Sequence, residues 1–498
     1  MLNLQKYPVT LQDPNVVLPQ HPRRQSALKL LHGKPRGLSI SNSQQHDEQP
    51  QLSPPFPHMS QSVAAIIFGD GSSESRRHLY PLTKRRSEGA IPIGANYRLI
   101  DAVVSNCINS NITKIYAITQ FNSTSLNSHL SRAYSGVGLG KDGFVEVVAA
   151  YQSPENQAWF QGNADAVRRC LWMLGEYPVN EFLILPGHHL YKMEYQRLVE
   201  AHRKANADIT IVALTADRAR ARRSGFGTLK LDPKNTVLKI NCKEVESFEN
   251  SEDVKCSAFL STGIYLIRRD VMIKLLKECF PDENEIGEVV IQGAISLGMK
   301  VQAYLFDGYW EDMTSIGVFY RANMENTRKS NARFKSLQGP TYSFRHSFYD
   351  RDSPVYTLPR CLPPSIMSDS VITDSVIGDG CILNSCEIKR SVIGMRTRVE
   401  DGAMVDDSVI MGSDTYEWDV QRNSINGKSC AGVPPIGIGA NTHIWKSIVD
   451  KNARIGKNVT IINRDSVQEG DREAEGYVIK DGIVVVLRGA VIPDSSIL

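Results

Sequence analysis

From about residue 366 onward, apolar β-formers recur on a six-residue period, and few folds accept that spacing. Val376, Ile382 and Ile388 are six apart, as are Ile393, Val399 and Val405, then Ile438 and Ile444, then Val449, Ile455 and Ile461. The pair Ile-Gly recurs at Ile377-Gly378, Ile393-Gly394 and Ile455-Gly456. A half-buried strand alternates every two residues and a helix every 3.6, so neither produces this phase. A parallel β-helix does, because each short strand buries one inward residue on its neighbour in the next repeat. A β-sandwich would not hold the phase through these eleven positions. The stretch 411–435 breaks the period and is expected to loop out of the coil. Solenoids leave flat faces and ends to be covered, so oligomerisation is expected.

The preceding segment, 62–330, has a different rhythm. The strand candidates 63–68, 114–118, 182–185 and 209–214 alternate with helical spacing over 99–109, 163–174 and 195–204. Such alternation predicts a mostly parallel α/β sheet, Rossmann-like, with helices on both faces. Ligands in these sheets bind beyond the carboxyl ends of strands, so the loops after Phe68 and Leu185 are the places to look. Residues 331–365 read as a linker, punctuated by Gly339-Pro340, Ser353-Pro354 and Pro363-Pro364. Residues 1–61 are rich in Pro, Gln and Ser, basic and poor in acids. This leader is expected to be disordered and resembles an organelle transit peptide.

A length of 498 residues suits about two to three domains. A net charge of +3 is too small to argue for nucleic acid or an anionic membrane, and no apolar run reaches the roughly 18 residues of a membrane helix. The nine cysteines form no CxxC pair, which argues against a zinc site or a thioredoxin-type motif and suits mostly buried free thiols in a reducing compartment.

The apolar run ending at Phe68 passes into Gly69-Asp70-Gly71-Ser72-Ser73-Glu74-Ser75-Arg76-Arg77. A small-residue loop after a buried strand can offer N–H groups to phosphates. It can equally be an ordinary solvated loop, and Asp70 and Glu74 would repel a polyphosphate.

Long runs then match one family. They include Leu79-Tyr80-Pro81-Leu82-Thr83-Lys84, Gly94-Ala95-Asn96-Tyr97-Arg98-Leu99-Ile100-Asp101, Trp159-Phe160-Gln161-Gly162, Gly308-Tyr309-Trp310-Glu311-Asp312 and Asp450-Lys451-Asn452-Ala453-Arg454-Ile455-Gly456. From about residue 62 the chain resembles the plant ADP-glucose pyrophosphorylase (glucose-1-phosphate adenylyltransferase) small subunits. That resemblance implies a nucleotidyltransferase domain followed by a left-handed β-helix. It also implies Mg²⁺ as cofactor, heterotetramers with large and small subunits, a plastid (chloroplast) location, and a reaction. ATP and glucose 1-phosphate give ADP-glucose and pyrophosphate, toward starch.

The departures from the family gather where that chemistry would occur. The family's Gly-Gly-Gly-x-Gly-Thr-Arg-Leu loop is here three residues longer. It keeps Gly69 and Gly71, with Arg76 or Arg77 in place of the family arginine. The family's phosphate-facing lysine is Glu88, a charge reversal. The family's metal aspartate, in Ala-Gly-Asp-His-Leu-Tyr, is His188 in Pro186-Gly187-His188-His189-Leu190-Tyr191. The second metal carboxylate remains as Asp312. Gln161 and Gly162 are nucleotide-side candidates, and Lys243 and Ser261 are sugar-phosphate candidates. Of the family's activator lysines, one is replaced by Trp445 beside Lys446, and the other is Arg488.

A hard ion such as Mg²⁺ wants oxygen ligands, and imidazole is a poor substitute. Two adjacent histidines suggest a softer metal such as zinc, but sequence neighbours rarely share one ion. The expectation is a small-subunit-like chain with intact fold and subunit contacts and a silent or severely impaired active site, which binds ATP and glucose 1-phosphate weakly. The alternatives are a slow working adenylyltransferase or a sugar-phosphate sensor.

Overall fold

The computed structural model describes residues 62–69, 78–150, 159–216, 227–241, 258–327, 350–417 and 432–498. The expected leader lies outside these residues, as do 331–349 of the expected linker and 418–431 of the expected loop-out.

The strand Val63–Phe68 shows why the sheet is covered on both sides. Ala64 and Ile66 enter one core with Ala164, Val167, Cys170 and Leu174 of the helix Asn163–Leu174. Val63, Ala65 and Ile67 enter the other with Ile100, Val103, Val104 and Cys107 of the helix Leu99–Asn109. A continuous apolar run is what a strand buried on both faces requires. This strand pairs in parallel with Lys114–Thr119 on one side and Glu181–Pro186 on the other. The sheet is less uniformly parallel than the alternation predicts. The 11-residue strand Ala258–Arg268 runs antiparallel to both Glu181–Pro186 and Ile209–Ala216. Its register shifts between Ser261 and Tyr265, where Gly263 adopts φ 72°. An irregularity of this kind bends a strand between two partners, and alternation of elements alone does not reveal it.

The C-terminal coil has three faces and three inward columns. One column is Ile377, Ile393, Ile410, Val449 and Val486. The second is Leu383, Val399, Ile438, Ile455 and Ile492. The third is Ile372, Ile388, Val405, Ile444 and Ile461. Nine of the eleven positions picked out by the period lie in the coil core; Val376 and Ile382 do not. Ile377 and Leu383 point inward instead, one residue on. Val376 faces out because the face it belongs to is covered.

That covering packs the coil against the first domain. Val392, Val409, Ile448 and Val485 form the outer surface of one face. They are buried against Leu79, Leu82, Ile91, Leu99, Met313, Ile316 and Phe319. Arg86 and Asp450 form an ion pair inside this contact, 3% and 4% exposed at the side chain. Glu473 of the coil takes hydrogen bonds from Tyr80 and Lys84.

Asp101 is a second tie. It is fully buried and accepts from His129 Nε2 (2.6 Å), Tyr134 OH (2.6 Å), Thr357 Oγ1 (2.6 Å) and the Arg98 backbone N–H (2.9 Å). Burial opposes its ionisation, but His129 and these donors outweigh it and hold the carboxyl below its ordinary value. The network fastens two helices to the segment leading into the coil. This explains a buried acid without assigning it to catalysis.

Candidate metal and nucleotide site

Three turns converge at the carboxyl end of Val63–Phe68. The Gly69 N–H donates to Ile118 O (2.8 Å), the Gly89 N–H to Gly69 O (3.1 Å) and the Gly187 N–H to Phe68 O (2.8 Å). A Cβ at Gly187 would lie 2.4 Å from Phe68 O, so only glycine lets these backbones meet. The Gly69 N–H is thus engaged within the sheet and is not directed at a phosphate. Gly71, Arg76 and Arg77 lie outside the described residues, as does Lys243.

Glu88 and His188 belong to two of these turns, and both are buried. The pairing that completes the site is remote in sequence: Trp310–Asp312 runs antiparallel to His189–Tyr191, with Asp312 opposite His189. The His188 ring lies between two carboxylates. Its Nδ1 is 3.5 Å from Glu88 Oε2 and its Nε2 is 3.4 Å from Asp312 Oδ1. His189 Nε2 is 3.5 Å from the same Asp312 oxygen. The two neighbouring histidines thus both approach one carboxylate oxygen. A turn at His188 followed by a strand at His189 brings both rings to one carboxylate. Trp310 packs edge-on against His189 with centroids 5.0 Å apart.

Burial drives the His189 imidazole down to about 3, against a smaller opposing pull from Asp312. Burial also lowers His78, which faces Asp312 and His188. Asp312 is opposed by burial, and the nearby His189 and His188 hold it below the ordinary carboxylate value. His189 and His78 were not among the expected site residues. The only available signal for His189 was its adjacency to His188.

These donors do not fit Mg²⁺. The ion prefers six oxygens in a near-ideal octahedron, whereas the cluster at this position offers two imidazoles and one carboxylate. Glu88 lies on the far side of the His188 ring and does not replace the missing oxygen.

The other expected residues are placed as follows. Gln161 donates its side-chain amide to Trp159 O (2.9 Å), and its N–H goes to Asp165 (3.1 Å). A Cβ at Gly162 would lie 2.3 Å from Asn284 O, which is a packing reason for glycine. Ser261 is 1% exposed, and its hydroxyl accepts from the Gly263 N–H (3.3 Å) at the strand irregularity. Arg488 pairs with Asp414 at 2.8 Å, and Lys451 pairs with the same carboxylate at 2.8 Å. An activator phosphate at Arg488 would have to bind beside the Asp414 carboxylate. Lys446 sits at a coil corner with φ 47°. A cavity of about 710 Å³ beside Glu181, Arg203 and Arg268 lies at the start of the strand Glu181–Pro186, the opposite end from this site.

Comparison with known proteins agrees with this architecture. A nucleotidyl transferase family model matches residues 64–329, and a GLGC left-handed parallel beta-helix domain model matches 360–497. The chain is 57% identical over 471 residues to the inactive glucose-1-phosphate adenylyltransferase small subunit 2, chloroplastic, of Arabidopsis thaliana, covering 93% of this chain and 92% of that protein. It is 49% identical over 457 residues to the glucose-1-phosphate adenylyltransferase small subunit, chloroplastic/amyloplastic, of Triticum aestivum, covering 89% of this chain and 92% of that protein. A sheet domain whose site follows Phe68 and Pro186, a three-faced coil packed on it, and identity across nearly the whole length lead to one conclusion: the chain belongs to the glucose-1-phosphate adenylyltransferase small-subunit family.

Proposed function

We propose that this chain is a catalytically silent small subunit of the chloroplast enzyme that makes ADP-glucose for starch, and that it acts by assembling with large or active small subunits. The observation that carries this reading is the replacement of one carboxylate of the metal pair by His188, which leaves Asp312 beside two imidazoles. Adenylyl transfer relies on positioning and charge neutralisation of the triphosphate. Without a metal-binding oxygen pair, and with Glu88 in the position of a phosphate-facing lysine, neither is supplied.

Support for assembly comes from the fold, which the described residues retain. Among the described residues the coil has a buried core, and its contact with the first domain is an apolar patch that encloses the Arg86–Asp450 ion pair. Among the described residues, no helix is long and apolar enough to cross a membrane. The test is to mix the purified chain with an active large subunit and follow sedimentation and pyrophosphate release. The expected result is a mixed oligomer that forms without activity above that of the large subunit alone. Failure to associate with both large and active small subunits would overturn the assembly reading.

A further inference from the structure

We propose that Glu88, His188, His189 and Asp312 form a binding site for a zinc-class divalent ion, built where the family holds magnesium. Zinc takes imidazole nitrogen and carboxylate oxygen in a tetrahedron with bonds of about 2.0–2.2 Å. The edge of such a tetrahedron is about 3.4 Å, given bonds near 2.1 Å. The two contacts on Asp312 Oδ1, from His188 Nε2 and His189 Nε2, measure 3.4 and 3.5 Å. Both contacts therefore match the edge that two ligands of one ion would span.

The three donor atoms of His188, His189 and Asp312 lie within 4.8 Å of one another. The remaining edge, between the two imidazoles, is at most 4.8 Å and must close on binding. A water or a ligand atom would take the fourth position, as in open zinc sites.

Glu88 is the second, independent observation. Metal-ligating imidazoles usually present their other nitrogen to a carboxylate, which fixes the ring and strengthens it as a ligand. The Glu88 carboxylate stands 3.5 Å from His188 Nδ1, on the side of the ring away from Asp312. The sequence changes at 88 and 188 thus create one arrangement between them: outer carboxylate, imidazole, ion. His188 is 7% and Asp312 9% exposed, while His189 is fully enclosed. Affinity for nitrogen-containing sites rises from manganese toward copper, with zinc above the early ions. Mg²⁺ is outside this preference.

The inference does not depend on the assembly reading, since a chain that binds no zinc would still lack the magnesium pair. The test uses the full chain with its thiols alkylated, because free cysteines also bind zinc. Equilibrium dialysis against Zn²⁺ is expected to load one ion per chain, and millimolar Mg²⁺ is expected not to displace it. Co²⁺ in its place is expected to give the visible absorption of a tetrahedral nitrogen–oxygen site. His188→Ala and His188→Asn, checked for folding by circular dichroism, are expected to lose that absorption and the bound ion. Glu88→Gln is expected to weaken zinc about 10–100-fold without abolishing binding. No zinc on the folded chain, displacement by Mg²⁺, or unchanged binding in either folded His188 variant would overturn the proposal. Unchanged affinity in Glu88→Gln would remove Glu88 from the site.

Discussion

His188→Asp alone is expected to destabilise the chain by about 2–4 kcal/mol in metal-free buffer, and adding Glu88→Lys is expected to recover most of the loss. The single change places a third carboxylate between Glu88 and Asp312, which now flank the His188 ring at 3.5 and 3.4 Å. Two like charges 4 Å apart cost about 4 kcal/mol at an effective dielectric near 20. A shared proton relieves part of that cost at low pH. A carboxyl whose folded pKa is raised is least harmful below its unfolded value, so the loss should grow as pH rises from about 4 toward 7. Mg²⁺ should reduce it by supplying the counter-charge. Urea denaturation of the wild type, both single variants and the double variant measures the coupling directly. The expected value is about 1–3 kcal/mol. Coupling near zero would mean that the side chains at 88 and 188 do not interact, contrary to the 3.5 Å contact between them.

The second large effect lies at the contact between the two domains. Asp450→Ala is expected to cost about 3–5 kcal/mol, because it leaves the Arg86 guanidinium buried without its counter-charge. Arg86 also donates through Nε to Leu82 O at 3.0 Å and lies 3.8 Å from Met411 Sδ, so it cannot simply turn out to water. Removing both charges, as Arg86→Met with Asp450→Leu, is expected to cost far less, since apolar replacement of a buried pair is often near neutral. Thermal or urea unfolding of the three variants gives the comparison. A small loss in the single variant would show that the pair is hydrated and contributes little to the contact. The segment 78–86 is held from the coil by Asp450 and Glu473 together.

What was legible in the sequence follows from what local pattern encodes. The strand Val63–Phe68 and the helices Leu99–Asn109 and Asn163–Leu174 fall where their apolar spacing puts them. The coil follows its period, with a one-residue slip at Val376 and Ile382. At Val376 the slip had a readable cause. On one face of the coil the strands carry apolar doublets: Val376-Ile377, Val392-Ile393, Val409-Ile410 and Ile448-Val449. A doublet means that both sides of the strand are buried. It marks the face that packs on the first domain, and a search for one inward residue per repeat passes over it.

The site was legible by residue type but not by geometry. His188, Glu88 and Asp312 stand out as charge changes or survivors. No local pattern brings Asp312 to His189 across 123 positions, because antiparallel pairing between two remote three-residue strands leaves no periodic trace. Nor does it show that the altered residues at 88 and 188 touch each other. Ser261 and Gly162 carried an active-site expectation that packing explains equally well, through the strand irregularity and the close approach of Asn284.

The central claim is that a histidine at 188 leaves the chain without a magnesium-dependent adenylyltransferase site. Pyrophosphate release by the pure chain, given ATP, Mg²⁺ and glucose 1-phosphate, tests it most directly. The account predicts release no faster than a protein-free control. Turnover in the usual enzymatic range of about 1–10³ s⁻¹ would contradict it.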